Sequence, residues 1–405
     1  MVGVWGYQPR WITFLEGRNK VFQEKQYLHL PGPTPVPPRV LRALSEPMIN
    51  HRGPEFKELF EEITVGVQKT FKTQNKVLIF PAAGTGGMEA AIVNFISPGE
   101  KVLVASIGVF GNRFAEIAGR FGAQVEKIEF EWGTAIGAEQ IATRLQADRD
   151  KEIKAVIVTH NETSTGVTND LVAVRQAIGN HPALLIVDAV SSMGAVDLRT
   201  DEWDLDVVVT GAQKAYMIPP GLAFVSVSAR AWEVAAKCTN YKYYWDLVSA
   251  QKYSEKSQTP YTPALPQLTG LRESLKMIHA EGLEQTFRRH ALMRDMTRAA
   301  MRALGLSLLA PDEVASPALT AVFAPEGLEA NRLRKIAREK YNVILAGGQQ
   351  KLDNRIFRVG PLGWVQPLDI IAVVAAIEMV LLDGGYQIEL GSGVRAAQKV
   401  WLDRG

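Results

Sequence analysis

Lys214 lies in a short polar interruption between two apolar, β-branched segments, residues 206–210 and 222–227. The Pro-Pro-Gly sequence at 219–221 predicts a turn between them, so we expect this lysine at a strand end on a stiff backbone. An amine between two apolar strands is partly desolvated, which favours its uncharged, nucleophilic form. Such a lysine can condense with a carbonyl group, although a lysine that ends a strand is more often simply solvated.

A glycine-rich sequence, AAGTGGMEAA at residues 82–91, predicts a tight turn that leads into a helix. This arrangement directs unpaired amide N–H groups and the positive end of the helix dipole at an anion, and a phosphate group fits there. The turn is not a Walker A loop, because no Gly-Lys-Ser/Thr follows, and Glu89 stands where the dinucleotide motif has its last glycine. A strand-to-helix turn without a ligand is the alternative.

Asp188 ends the most apolar predicted strand of the chain, residues 183–188. A carboxylate at the rim of a dry sheet requires a cationic partner. A pyridinium N–H group is one candidate, and its protonation would make the ring an electron sink. A salt-bridged or helix-capping aspartate is the alternative.

The elements that must position these residues alternate between strand and helix from about residue 76 onward. Apolar strands separated by helices predict an α/β fold with a mostly parallel sheet covered on both faces. Ligands of such sheets gather beyond the carboxyl ends of the strands. We therefore expect one pocket to hold the polar residues at those ends, which are 84–86, Phe110, 161–163, Asp188 and 213–214.

The remaining segments suggest how the chain is divided. Residues 1–27 show no clear period and are interpreted as an N-terminal arm, and the prolines of 31–38 predict an extended path that is either a linker or the edge of a site. Residues 28–290 form the predicted large domain, and 291–405 a smaller α/β domain.

Composition narrows the function classes. The 45 basic and 43 acidic residues are interspersed and give a net charge of +2, so neither nucleic acid nor an anionic membrane is an expected partner. Cys238 is the only cysteine, which excludes an intramolecular disulfide and a cysteine zinc site. The longest apolar run, from Ile370, is too short to span a bilayer and contains Glu378. We expect a cytoplasmic location.

The phosphate-binding turn, the aspartate and the lysine at one sheet edge together indicate pyridoxal phosphate. In its motifs the chain closely resembles the serine:glyoxylate and alanine:glyoxylate aminotransferases, within class V of the fold type I pyridoxal-phosphate enzymes. The resemblance covers about residues 27–380, and its most specific strings are VTHNETSTGVT (158–168) and the spacing from Asp188 to Lys214. The strings NHRGPEF (50–56) and TPYTP (259–263) favour the serine:glyoxylate branch.

The resemblance assigns a role to each matching residue. It implies that Lys214 forms the Schiff base and moves the proton between substrate and cofactor. The other implied roles are Asp188 at the pyridine nitrogen, Phe110 and Val190 on the two ring faces, Thr163 at the ring hydroxyl, Thr85, Gly86 and Gln213 at the phosphate with Thr262 from the neighbouring subunit of a homodimer, and Arg358 at the substrate carboxylate. His51 and Arg52 either line the substrate entrance or form a solvated turn.

The implied activity is a ping-pong transamination in which L-serine or L-alanine donates its amino group to glyoxylate and gives glycine. One alternative is another class V transaminase with aspartate or an aminophosphonate as donor. A cysteine desulfurase is a poorer alternative, because it needs a mobile catalytic cysteine and only Cys238 is present. From a different class, the chain could be a cofactor-binding protein without turnover.

Overall fold

The computed structural model describes residues 25–404 of the chain. The strands are β1 (Tyr27–His29), β2 (Val77–Phe80), β3 (Lys101–Ser106), β4 (Gln124–Glu129), β5 (Ile153–Thr159), β6 (Asn161–Glu162), β7 (Val167–Thr168), β8 (Leu184–Asp188), β9 (Val207–Gly211), β10 (Ala223–Val227), β11 (Thr320–Phe323), β12 (Val343–Gly347) and β13 (Ile356–Val359). The helices are α1 (Pro38–Leu44), α2 (Pro54–Phe71), α3 (Gly84–Phe95), α4 (Val109–Arg120), α5 (Ala138–Ala147), α6 (Leu171–Ile178), α7 (Ala229–Ala235), α8 (Leu247–Ser254), α9 (Leu265–Glu281), α10 (Leu283–Ala303), α11 (Ala330–Tyr341), α12 (Pro367–Gly384) and α13 (Ser392–Arg404).

The larger sheet of the described residues has seven strands in the order β2-β10-β9-β8-β5-β3-β4. Strands β4, β3, β5, β8 and β9 run parallel, and β10 is antiparallel to both of its neighbours. Alternate residues of β5 enter two different cores, since Val156 and Val158 pack with α2 and α9 whereas Ala155 and Ile157 pack with α3 and α4. Helices therefore cover both faces, which confirms the predicted α/β fold and its mostly parallel sheet.

A second sheet of the described residues has the order β1-β12-β13-β11. Strand β1 pairs in parallel with β12, and β13 is antiparallel to both β12 and β11. Apolar residues of α10, α11, α12 and α13 pack around it in a core of their own. The part of the predicted N-terminal arm at 1–24 lies outside the described residues, and the division at 290/291 stays a prediction. Helix α10 runs across that point without a break.

The apolar run that begins at Ile370 is part of α12 and is buried largely in this second core. A capping box between Gln366 and Asp369 starts the helix, and Gly385, in the left-handed conformation, ends it. Within residues 25–404, no helix is both long and apolar enough to cross a bilayer.

The proline-rich segment 31–38 runs from β1 to α1 across the end of the larger sheet. Thr34 N–H donates to the Gln213 carbonyl at 3.2 Å, and the Thr34 hydroxyl donates to the Lys214 carbonyl at 2.9 Å. The extended path, which proline favours, thus fixes the backbone of the turn that carries the lysine.

Candidate active site

A pocket opens where the parallel strands of the larger sheet end. Its lining comes from the turns after β2, β3, β5, β8 and β9, and consists of Gly84, Thr85, Met88, Phe110, Arg113, Thr163, Asp188, Val190, Ser191, Gln213 and Lys214. Seven residues proposed from the sequence meet here, namely Thr85, Phe110, Thr163, Asp188, Val190, Gln213 and Lys214. Three others, Gly86, Thr262 and Arg358, do not line this pocket.

Lys214 follows β9 by three residues, and its side chain is almost entirely buried. Its Nζ donates a 2.6 Å hydrogen bond to the Pro31 carbonyl. Burial lowers the pKa of this amine to about 8; Asp188 opposes the shift, whereas nearby arginines add to it. A lysine with this pKa has far more free amine near neutral pH than an exposed lysine has.

Asp188 ends β8 and is only 3% exposed. Its carboxylate accepts a 2.8 Å hydrogen bond from Val190 N–H, and no lysine or arginine of residues 25–404 lies within ion-pair distance of it. Burial raises its pKa to about 7, against the effect of that hydrogen bond, and repulsion from Glu162 acts in the same direction as burial. The salt-bridged alternative is therefore not seen in the described residues, and the carboxylate lies ready for a positively charged N–H partner.

The start of α3 forms a cradle for an anion. The residue before the helix, Ala83, makes no side-chain capping bond, so the first amides remain available to a ligand. A Cβ atom placed on Gly211 would lie 2.8 Å from the Gln213 amide oxygen and 3.0 Å from Gly84 N, so glycine keeps this space open. The Gln213 amide oxygen is buried and has no hydrogen-bond partner within residues 25–404.

Gly86 lies in the first turn of α3 but does not line the pocket. A Cβ atom on it would meet the Trp245 ring at 2.8 Å, and its N–H already donates to the Ala83 carbonyl at 2.9 Å. Its role as a phosphate ligand stays a prediction.

Glu162 positions the aromatic side of the pocket. This carboxylate is fully buried, and it accepts hydrogen bonds from the N–H groups of Phe110 and Gly111, both at 3.1 Å, and of Ser164 at 3.0 Å. Burial raises its pKa, while these hydrogen bonds oppose the shift. Because the first two donors open α4, Glu162 fixes the start of that helix and with it the Phe110 ring. The sequence placed Glu162 at the strand end but gave it no role.

Arg358 lies in the second sheet, on β13, and is buried. It donates from Nε to the Gly347 carbonyl at 2.8 Å and from Nη1 to the Thr163 carbonyl at 2.6 Å, which joins the second sheet to the pocket. Burial lowers its pKa to about 10, partly offset by Glu162. No carboxylate within residues 25–404 forms an ion pair with it, so its charge is available to an anionic ligand.

The loop that carries Thr262 lies beside the turn that carries His51 and Arg52. Arg52 Nη1 donates to the Thr259 carbonyl at 2.7 Å and to Gln258 Oε1 at 2.9 Å. This loop and this turn therefore form one connected surface of the chain, separate from the pocket lining.

Sequence reasoning missed three residues of the pocket lining, Met88, Ser191 and Arg113, and of these Arg113 carries a charge. Its guanidinium lies 4.8 Å from the centre of the Phe110 ring, and Nη1 is 3.5 Å from the Thr85 hydroxyl. Phe110 and Arg113 are three positions apart on α4, so they share a helix face. That spacing was the signal available in the sequence.

Comparison with known proteins identifies the family of the chain. Residues 26–355 match the family described as Aminotransferase class-V. The chain is 48% identical to the soluble hydrogenase 42 kDa subunit of Anabaena cylindrica, covering 93% of this chain and 99% of that one. It is 41% identical to L-aspartate–glyoxylate aminotransferase of Paracoccus denitrificans and 40% identical to serine–glyoxylate aminotransferase of Methylorubrum extorquens, each covering 92% of this chain and 95% of the relative.

The fold also matches solved structures of aminotransferases. Ureidoglycine–glyoxylate aminotransferase of Bacillus subtilis superposes with a TM-score of 0.88 at 31% identity, covering 95% of this chain and all of that one. Pyridoxamine–pyruvate aminotransferase of Mesorhizobium loti gives a TM-score of 0.88 at 32% identity, covering 93% and 97%.

Proposed function

Since this chain belongs to the class-V aminotransferase family, we propose that it moves the amino group of a small L-amino acid, serine or alanine, to glyoxylate and forms glycine. The observation that carries the proposal is the meeting of Lys214, Asp188 and the anion cradle in one pocket. The chain is a transaminase, and its cofactor is pyridoxal phosphate.

The residues of the pocket fit this cofactor. Asp188 is a buried carboxylate without a cationic partner among residues 25–404, which suits a pyridine N–H group. The uncapped start of α3 and the space beside Gly211 suit a phosphate group. Phe110 and Val190 both line the pocket, where we propose that they contact the two ring faces, with Thr163 at the ring hydroxyl. When bound, pyridoxal phosphate supplies an aldehyde that condenses with amines and a ring that accepts electrons from the substrate Cα.

Lys214 is the proposed proton carrier. Its lowered pKa would allow Nζ to accept the proton of the substrate Cα near neutral pH and, with the cofactor bound, to return it at the cofactor carbon C4′. The Pro31 carbonyl holds Nζ when the amine is free. Buried Asp188 would stabilise positive charge at the ring nitrogen, because a carboxylate with few other partners interacts strongly with a cation in a dry site.

Arg358 is the proposed ligand of the substrate carboxylate. Two of its nitrogens are held by carbonyl groups, and Nη2 has no acceptor among residues 25–404. A guanidinium fixed in this way presents its remaining N–H groups in a planar fork that matches a carboxylate.

A homodimer would complete the site. Thr262 does not line the pocket of its own chain, and its loop forms one surface with His51 and Arg52. We propose that a second copy brings this surface to the pocket, with Thr262 at the phosphate and His51 and Arg52 at the substrate entrance.

Two relatives bear on alternatives. The Paracoccus protein is named for aspartate as donor, so aspartate is the second candidate donor for this chain. The hydrogenase name is not carried over, since iron–sulfur clusters are typically held by four cysteines and this chain contains only Cys238.

The test is the absorption spectrum of the purified protein with L-serine, L-alanine or L-aspartate added singly and without an acceptor. We expect serine or alanine to convert the visible cofactor band to the near-ultraviolet band of pyridoxamine phosphate, and glyoxylate to restore it. Conversion by aspartate alone would replace the proposed donor. A band that no donor changes would indicate a cofactor-binding protein, and turnover by Lys214→Ala would refute the role of the lysine.

A further inference from the structure

The proposed ligands of the cofactor phosphate do not neutralise its negative charge. Thr85, Gly86, Gln213 and Thr262 are all uncharged, whereas a phosphate monoester carries about −1.5 to −2 charges at neutral pH. The dipole at the start of α3 offsets only about half a charge. An anion of this kind at a partly buried site is stabilised strongly when a cation also contacts it.

Arg113 is placed to supply that cation. It lines the pocket, its Nη1 is 3.5 Å from the Thr85 hydroxyl at the anion cradle, and it is close enough to Lys214 and Asp188 to influence the pKa of each. Within residues 25–404 its guanidinium makes one hydrogen bond, to Thr85, and no carboxylate there forms an ion pair with it. The charge of this guanidinium is therefore not neutralised by any carboxylate of residues 25–404.

Among residues 25–404, two other cations lie near the pocket, and each already has another role. Lys214 Nζ is held by Pro31 and is needed for the amine chemistry. Arg358 lies on the second sheet and donates to the Gly347 and Thr163 carbonyls. Arg113 is the remaining cation, and its distance of 4.8 Å from the centre of the Phe110 ring restricts where its guanidinium can lie.

We propose that Arg113 is the counterion of the cofactor phosphate. The inference rests on the assignment of pyridoxal phosphate and adds a ligand to it. It also explains why Glu162 matters beyond the aromatic ring, because the amides that Glu162 holds begin the helix that carries both Phe110 and Arg113. One carboxylate thereby sets the positions of a ring-contacting residue and a phosphate-contacting residue.

The test compares two forms of the cofactor on the cofactor-free protein. Pyridoxal phosphate and pyridoxal, which lacks the phosphate, are titrated separately into the wild type and R113Q, with binding followed by absorbance. We expect R113Q to weaken pyridoxal phosphate by about 10-fold to 100-fold, the usual effect of losing a charge-assisted hydrogen bond, and to leave pyridoxal within about 2-fold. R113K, which keeps the charge but not the planar fork, should fall between R113Q and wild type.

The matched control is R120Q on the same helix. Arg120 is exposed and pairs with Glu116 one turn away, so its replacement should change neither affinity. A second measurement is the phosphorus NMR signal of the bound cofactor as a function of pH. A neighbouring cation favours the dianion, so the phosphate should protonate at a higher pH in R113Q than in wild type.

Each outcome has one meaning. Equal weakening of pyridoxal phosphate and pyridoxal by R113Q, or no weakening of either, would overturn the proposal. Failure of the wild type to bind pyridoxal phosphate would instead overturn the cofactor assignment and the proposed function. Should R113Q not fold, R113M decides by the same comparison, because it also removes the charge while keeping an unbranched apolar stem; equal affinities of R113M and wild type for pyridoxal phosphate would overturn the proposal.

Discussion

Lys214 Nζ and the Pro31 carbonyl are joined by a 2.6 Å hydrogen bond, which ties the amine to the proline-rich segment that follows β1. Gly32, the residue after Pro31, has a φ angle of +116°. A Cβ atom on Gly32 would lie 2.7 Å from Lys214 Nζ, too close for any real contact. Glycine is therefore required here both for the backbone conformation and for the space that the lysine occupies.

Replacing Gly32 by alanine should displace the lysine. We expect Gly32→Ala to reduce kcat at least about 100-fold, because a misplaced reacting group loses alignment, and to destabilise the protein by about 1–3 kcal/mol. Single-turnover kinetics and thermal unfolding measure the two effects. Gly99→Ala is the control, because Gly99 also has positive φ but has nothing within 4 Å of its Cβ position. Equal activity losses in both variants would contradict the role of Gly32.

The pKa of Lys214 predicts how the cofactor-free protein captures pyridoxal phosphate. Because burial lowers this pKa to about 8, the free amine increases as pH rises and is nearly complete above that value. The capture rate, followed by absorbance in a stopped-flow instrument, should rise about tenfold per pH unit below 8 and then level off. An ordinary lysine would keep rising to beyond pH 10. Lys214→Ala lacks the amine, so it should form no covalent adduct with the cofactor. A capture rate of the wild type that kept rising past pH 10 would argue against a desolvated amine.

The ionised form of Asp188 should lower the stability of the cofactor-free protein. Its folded-state pKa of about 7 is higher than that of an exposed aspartate, so ionisation costs stability progressively as pH rises from about 4 to about 7. Asp188→Asn removes this charge. We expect the variant to be more stable than wild type by about 1–3 kcal/mol at pH 8, less so at pH 5, and inactive as a transaminase.

The control for this measurement is Asp206, which is also buried but pairs with Arg230 and accepts from Leu185 N–H at 2.7 Å. Asp206→Asn leaves Arg230 without its partner, so it should destabilise the protein. Denaturant unfolding at pH 5 and pH 8 distinguishes the two cases. Destabilisation by Asp188→Asn at pH 8 would mean that the carboxylate has a stabilising partner in the folded protein.

The parts of the site that could be predicted lie on strongly patterned segments. Asp188 and Lys214 follow apolar strands with clear turn signals, so the order of strand, polar residue and turn was readable locally. The alternation of strands and helices also predicted the parallel sheet. It did not reveal that β10 lies antiparallel between β2 and β9, because sequence periodicity does not encode strand direction.

The parts that could not be predicted depend on contacts between distant segments. Tyr27 pairs with Val343, yet three residues of β1 carry no local signal that they join the second sheet. The contact of Pro31 with Lys214 likewise arises only when the sheets are assembled. Arg113 meets Thr85 of α3 only in the folded chain, although its spacing from Phe110 on α4 could be read locally.

The role of Glu162 can be separated from its contribution to stability. Glu162→Gln keeps the shape but turns an amide NH2 group toward backbone N–H donors, so it loses hydrogen bonds from Phe110, Gly111 or Ser164. We expect a loss of about 1–3 kcal/mol in stability and a weaker visible circular dichroism band of the bound cofactor, since the Phe110 ring is no longer fixed.

Glu378→Gln is the matched control. Glu378 on α12 is buried as well and does not line the pocket. Its carboxylate accepts hydrogen bonds from the N–H groups of Gly391, Gly393 and Val394 at 2.8, 2.8 and 3.1 Å. Its replacement should cost a similar amount of stability by the same mechanism but leave the cofactor band unchanged. If both variants changed the band equally, loss of stability alone would account for it. If only Glu162→Gln did so, the carboxylate at the start of α4 holds the aromatic side of the site.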